Sequence, residues 1–153
     1  MTIQLKKLAA CIAIPLAVGG ISALLTRNSM ETFSLLNKPP LSPPGWLFPV
    51  VWTVLYILMG VASYLVLTSD KPNSTALKVY GVQLVFNFLW SIFFFGMGLY
   101  FFSFIWLIAL WLLILLTIVL FYIISKPAAY LLIPYLLWVT FAGYLNFAIY
   151  LLN

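Results

Sequence analysis

Trp52, Tyr56 and Gly60 fall at i, i+4 and i+8, a spacing that puts two large rings and a gap on one face of a helix. Gln83, Asn87, Trp90, Ser91 and Phe94 stand at i, i+4, i+7, i+8 and i+11, and Tyr135, Trp138, Ala142 and Asn146 at i, i+3, i+7 and i+11. Each set again forms one face. Indoles, phenols and carboxamides offer stacking area and neutral hydrogen bonds, but no strong acid, base or nucleophile. The chemistry open to these faces is recognition of a flat hydrophobic ligand, with Trp52, Trp90 and Trp138 as walls and Gln83, Asn87 and Asn146 as a polar floor. Buried amides also hold the helices of a membrane bundle together. The two roles are compatible, because the polar groups of a pocket can brace the helices that form it.

Reaction types narrow further with the residues the chain lacks. It has no histidine, one cysteine (Cys11) and two acids, Glu31 and Asp70. No Ser-His-Asp, Cys-His or paired-carboxylate set can be assembled, which excludes a hydrolase. No metal site is expected. A proton relay through intramembrane carboxylates is absent as well, which weighs against a proton-coupled transporter. A single cysteine allows no internal disulfide.

The elements that position these residues follow from composition. The 153 residues are 66% hydrophobic and 6% charged, against about a quarter charged in soluble domains. Apolar runs long enough to cross a bilayer occur five times, at about 6–27, 46–67, 78–97, 101–124 and 128–151. The expected fold is all-α: an integral membrane protein, with residues 1–153 forming one bundle of five transmembrane helices. Lys6 and Lys7 before an apolar run resemble a secretory signal, and Leu8-Ala9-Ala10-Cys11 matches a lipoprotein cleavage pattern. No apolar run separates the lysines from that pattern, however, and the hydrophobic segment continues to Leu25, so it is expected to remain as the first helix. There is no internal repeat, which weighs against inverted-repeat transporter folds.

Five crossings put Lys6, Lys7, Lys71, Lys78 and Lys126 on one side and Arg27 and Lys38 on the other. The positive-inside bias places the N-terminus in the cytoplasm and the 28–45 loop outside. Topology accounts for the net charge of +5, and there is no nucleic-acid signature. In the loop, Pro39, Pro40, Pro43 and Pro44 hold the chain extended and stiff, suited to roof a pocket. Trp46 is expected at the membrane boundary, while Trp106 and Trp111 read as lipid-facing or packing residues. Ala9, Ala13 and Ala17 form a small-residue stripe on the first helix, echoed by Gly19 and Ala23. It serves either a dimer contact or packing inside the monomer.

The strings KPPLSPPGWLFPVVWTVLYILMG, GVQLVFNFLWSIFFFG and PYLLWVTFAGYLN resemble the translocator protein family, also called tryptophan-rich sensory proteins or peripheral-type benzodiazepine receptors, in its bacterial type. The resemblance covers nearly the whole chain. It implies a five-helix bundle, often a homodimer in a bacterial cell membrane, that binds protoporphyrin IX and isoquinoline carboxamide or benzodiazepine-type ligands. The family's pocket tryptophans match Trp52, Trp90 and Trp138, its third-helix amides match Gln83 and Asn87, and its small residue beyond the fifth-helix tryptophan matches Ala142. The expected ligand-binding set is thus Trp52, Tyr56, Gln83, Asn87, Trp90, Phe94, Trp138 and Ala142. Thr32-Phe33 stands where many members have Trp-Tyr, so one lid aromatic is missing, and Phe102 replaces a tryptophan early in the fourth helix. The cholesterol-recognition pattern lacks its basic residue after Tyr150.

Without histidine a His–iron bond to haem is impossible, which leaves only Cys, Met and Tyr as iron ligands; the porphyrin expected is metal-free, stacked and hydrogen-bonded, with no covalently bound cofactor. Three classes stay open: a receptor or sensor, an enzyme that degrades the porphyrin with light and oxygen using Trp52 and Trp138 as oxidisable indoles, and a tetrapyrrole transporter.

Overall fold

Each long run is apolar on every side, so none can turn a polar face to water, and all must be covered by neighbours or lipid. In a computed structural model, which describes residues 2–153, five spans are long and apolar enough to cross a membrane. The helices are α1 (Leu5–Thr26), α2 (Met30–Ser34), α3 (Leu47–Leu67), α4 (Ser74–Ser91), α5 (Tyr100–Ile124), α6 (Lys126–Leu131) and α7 (Ile133–Leu152). A 3₁₀ turn at Arg27–Ser29 joins α1 to α2, and α6 and α7 together make the fifth span.

Local chemistry explains the boundaries. The third span begins at Ser74, earlier than the hydropathy of the sequence indicates, because Asn73 fixes the preceding turn: its Nδ2 donates to the carbonyls of Val66 and Leu67 at 3.0 and 3.2 Å, satisfying the end of α3. The same span ends in a π-helical turn, Ile92–Gly96, followed by Gly98 at φ +64°, where glycine is favoured. Ser125 Oγ accepts from the N–H of Ala128 and starts α6. The fifth span breaks at Leu132 because Pro134 cannot continue the preceding helical turn.

Neighbours run in a ring: α3 packs on α1 and α6, α5 on α6, α7 and α4, and α4 closes on α1. The core is filled by Met59, Leu110, Ile114, Phe121, Leu132, Tyr135, Val139 and Ile149. Lys6, Lys7, Lys71, Lys78 and Lys126 lie at one end of the ring and Arg27 and Lys38 at the other, as Lys71 Nζ donating to the Ile123 carbonyl illustrates (3.2 Å).

The first helix is the least embedded, with only Cys11, Pro15, Ser22 and Thr26 buried. Pro15 removes the N–H that would pair with the Cys11 carbonyl, and that carbonyl faces Gly60. A Cβ on Gly60 would lie 2.8 Å from the Cys11 oxygen and closer still to the Ile12 backbone. The gap beside Trp52 and Tyr56 is therefore a helix-crossing point. Gly19 likewise receives the ring of Tyr56, so it belongs to the inner contact and not to the outward stripe. Ala9, Ala13 and Ala17 are exposed, and packing of that stripe inside the monomer is not what the fold does.

Candidate functional site

The proline loop does roof an opening, but its first third is helical and not extended. After α2, the chain is pinned at two places. Asn37 N–H donates to Asn153 Oδ1 (3.1 Å) while Asn153 Nδ2 donates to the Asn37 carbonyl (2.9 Å); Tyr144 Oη donates to the Pro40 carbonyl (2.8 Å). Pro39 is buried and Leu41 turns the chain at φ 71°. Beneath the loop lies a cavity of about 850 Å³, at the upper end of the usual range for small-molecule sites.

Three elements and the loop enclose it. α1 supplies Leu16, Gly19, Ser22, Ala23 and Thr26; α3 supplies Phe48, Pro49, Trp52, Thr53 and Tyr56; the end of the third span supplies Ser91 and Phe95; and Ser42, Pro43, Pro44 and Gly45 close the top. Trp52 stacks on Tyr56 (5.5 Å, 26°). Phe33 completes the lid, edge-on to Phe48, Phe94 and Phe95 at 6.1, 5.9 and 5.1 Å.

Trp52 and Tyr56 thus border the cavity, whereas the other expected site residues lie behind them as a packed second layer. Trp90 meets Trp52 at 6.4 Å and stacks on Phe94 at 5.2 Å, and Trp138 stands edge-on to Trp52 at 6.5 Å. Ala142 is buried in the core one turn beyond Trp138. The amides brace the helices: Tyr56 Oη donates to Asn87 Oδ1 (2.7 Å), Asn87 Nδ2 to Tyr135 Oη (2.8 Å), and Tyr135 Oη to Gln83 Oε1 (2.7 Å). Asn146 accepts from Trp90 Nε1 (3.0 Å) and Ser103 Oγ (3.2 Å). Trp106 and Trp111 are packing residues, donating to the Phe86 carbonyl (2.9 Å) and Thr140 Oγ1 (2.8 Å). Phe102 is exposed against Phe93 and Trp106, away from the cavity.

One donor in this second layer is idle. The Trp138 Nε1 is buried with no partner, although a buried indole N–H normally finds one. Its ring touches Phe48 (6.0 Å) and Trp52, both of which line the cavity. The contribution of α1 was not foreseen from the sequence. Its only signal was Gly19 with Ala23, which the sequence presents as part of a helix-packing stripe.

The profile of the TspO/MBR family matches residues 11–152. The chain belongs to the TspO/MBR family. It is 44% identical to the tryptophan-rich protein TspO of Chlorobaculum tepidum, covering 100% of this chain and 99% of that protein. It is 40% identical to the tryptophan-rich sensory protein of Cereibacter sphaeroides (80% and 77%) and 33% identical to the translocator protein of Bos taurus (88% and 82%). The family is one of membrane proteins, and the five apolar spans agree with that.

Proposed function

We propose that the protein is a receptor or sensor that holds a porphyrin, protoporphyrin IX foremost, in the cavity under the 28–45 loop, and that isoquinoline carboxamide or benzodiazepine-type ligands share the site. The observation that carries the reading is the cavity itself: large, walled by the Trp52–Tyr56 stack, and backed by the unpartnered Trp138 Nε1. A small shift of Trp52 or Phe48 as the ligand settles would bring that N–H within reach of it. The packed layer of Trp90, Phe94, Trp138 and Ala142, with the Gln83–Asn87 network, would set the depth to which the ligand descends. The name of the Cereibacter relative, a sensory protein, supports the receptor class. We place the chain in a bacterial cell membrane with its N-terminus in the cytoplasm, on the charge asymmetry of its two ends.

Trp138→Phe tests the site. Nε1 has no partner to lose, so the stability cost should come only from the smaller ring in the packed layer, about 1 kcal/mol, while protoporphyrin affinity should fall by about 1–2 kcal/mol. Unchanged affinity in a fluorescence titration would refute the assignment.

A second reading rests on the contiguity of the indoles. Trp52 lies against both Trp90 and Trp138, so a photo-excited porphyrin beside Trp52 would meet connected, oxidisable rings. Under light and oxygen, Trp138→Phe should then lose product formation more than binding; bleaching at the native rate would eliminate this reading.

We also read the protein as a homodimer joined through the exposed Ala9-Ala13-Ala17 stripe, which lets helices approach closely. Ala13→Leu with Ala17→Leu should yield a folded, ligand-binding monomer by cross-linking; a full dimer would exclude this face.

A further inference from the structure

The cavity is not uniformly apolar. Leu16, Trp52 and Tyr56, farthest from the loop along α1 and α3, line its apolar part, and Arg27 and Lys38 border it at the loop end. Of the seven cations in the chain, these are the two at this end of the bundle, and both border the cavity. Topology alone would ask only that they lie somewhere on that end. Lys38 is held in place: its Nζ donates to the carbonyls of Ser34 and Leu36 at 3.2 and 3.4 Å and sits 5.0 Å from the centre of the Phe33 ring. An ammonium has three donors, so one remains. Among the described residues neither cation pairs with a carboxylate; Glu31 is not part of the lining and Asp70 is at the opposite end of the bundle. Arg27 is exposed and Lys38 half-buried, so both cations stand at the mouth of the cavity, where a ligand's anionic group can take charge-assisted hydrogen bonds from them in place of water.

We propose that Arg27 and Lys38 form an acid-reading end of this cavity, so that its ligand is an amphipathic one: a flat apolar body against Trp52 and one or two carboxylates at the outer rim. The inference rests on the reading of the cavity as a porphyrin site and adds a rule of selection to it. Protoporphyrin IX carries two propionates for two cations, so the diacid should outrank its monoester, and the monoester its diester. A neutral aromatic ligand uses only the apolar part and should be indifferent to either cation.

The experiment compares protoporphyrin IX with its dimethyl ester on the full chain, in nanodiscs of zwitterionic lipid so that no lipid charge competes, by quenching of tryptophan fluorescence. The native protein should prefer the diacid by about tenfold at low salt, with the preference shrinking as salt rises. Arg27→Gln with Lys38→Gln should abolish that preference by weakening the diacid alone, and Lys38→Arg should keep it. Equal affinities for diacid and diester in the native protein, or a preference that survives the double substitution, would overturn the proposal. Ala23→Trp, which puts bulk into the cavity, separates the two levels of inference. If it blocks both ligands while no acid preference exists, only the acid-reading end is lost; if it blocks neither, the porphyrin site and this proposal are lost together.

Discussion

Replacing Gly60 by valine should leave no folded, ligand-binding protein. The position a Cβ would take is filled by backbone: the Cys11 carbonyl is 2.8 Å away and the Ile12 Cα is nearer. Backbone atoms in a helix cannot rotate aside as the tip of a side chain can, so α1 itself must move off α3. Valine adds two methyls to that conflict, and the cost of overpacking a fixed contact should exceed about 4 kcal/mol. Since α1 is also one wall of the cavity, binding should go with the fold. Gly81 supplies the control. It sits mid-helix in α4 with open space where its Cβ would be, so Gly81→Ala should raise stability by about 0.5–1 kcal/mol through helix propensity alone. Size-exclusion profiles and thermal unfolding in detergent read both results. A monodisperse Gly60→Val protein with native melting would mean that the helices do not cross at Gly60.

Asn87→Leu should be strongly destabilising. Leucine keeps most of the volume, so the loss is one of hydrogen bonds. Asn87 accepts from Tyr56 and donates to Tyr135, and all three side chains are buried. Tyr135 keeps its bond to Gln83, but the Tyr56 hydroxyl is stranded. Stranding a buried hydroxyl costs about 1–3 kcal/mol, and the broken Asn87–Tyr135 bond adds about 0.6–2 kcal/mol in a membrane bundle. A total of about 1.6–5 kcal/mol is expected. Adding Tyr56→Phe to Asn87→Leu removes the stranded group, so the double variant should regain part of the loss, a coupling that a double-mutant cycle measures directly. Purely additive effects would show that the Tyr56–Asn87 bond contributes nothing.

These two positions show what sequence alone can and cannot convey. The number of spans was legible because hydropathy responds to composition over some twenty residues, and every run is long. Faces were legible because helical spacing is periodic: Trp52 and Tyr56 do stack, and Gln83, Asn87 and Tyr135 do converge. Depth was not legible. Spacing places Trp90, Trp138 and Ala142 toward the interior, but whether they border open space or sit behind Trp52 depends on how close the helices approach. That distance is set by Gly60, Gly19 and Pro15, whose partners lie on other helices. The role of α1 was hidden for the same reason. Small residues look alike whether they admit a second chain or a tyrosine ring from the neighbouring helix, and only the tertiary contact distinguishes Ala13 from Gly19. The π turn at Ile92–Gly96, just before the reversal into α5, leaves no mark in the periodicity.

The clasp between Asn37 and Asn153 has a practical side. The loop that covers the cavity is fastened by the side chain of Asn153, the residue that caps α7, and both hydrogen bonds use the same carboxamide. An affinity handle or fluorescent reporter inserted next to Asn153 would be anchored where the cover is latched. Handles at the opposite end of the bundle, beside Lys6, would leave the latch alone. Dissociation rates measured on the two designs would therefore differ even with identical cavities, and the handle beside Lys6 is the one whose off-rates describe the protein itself.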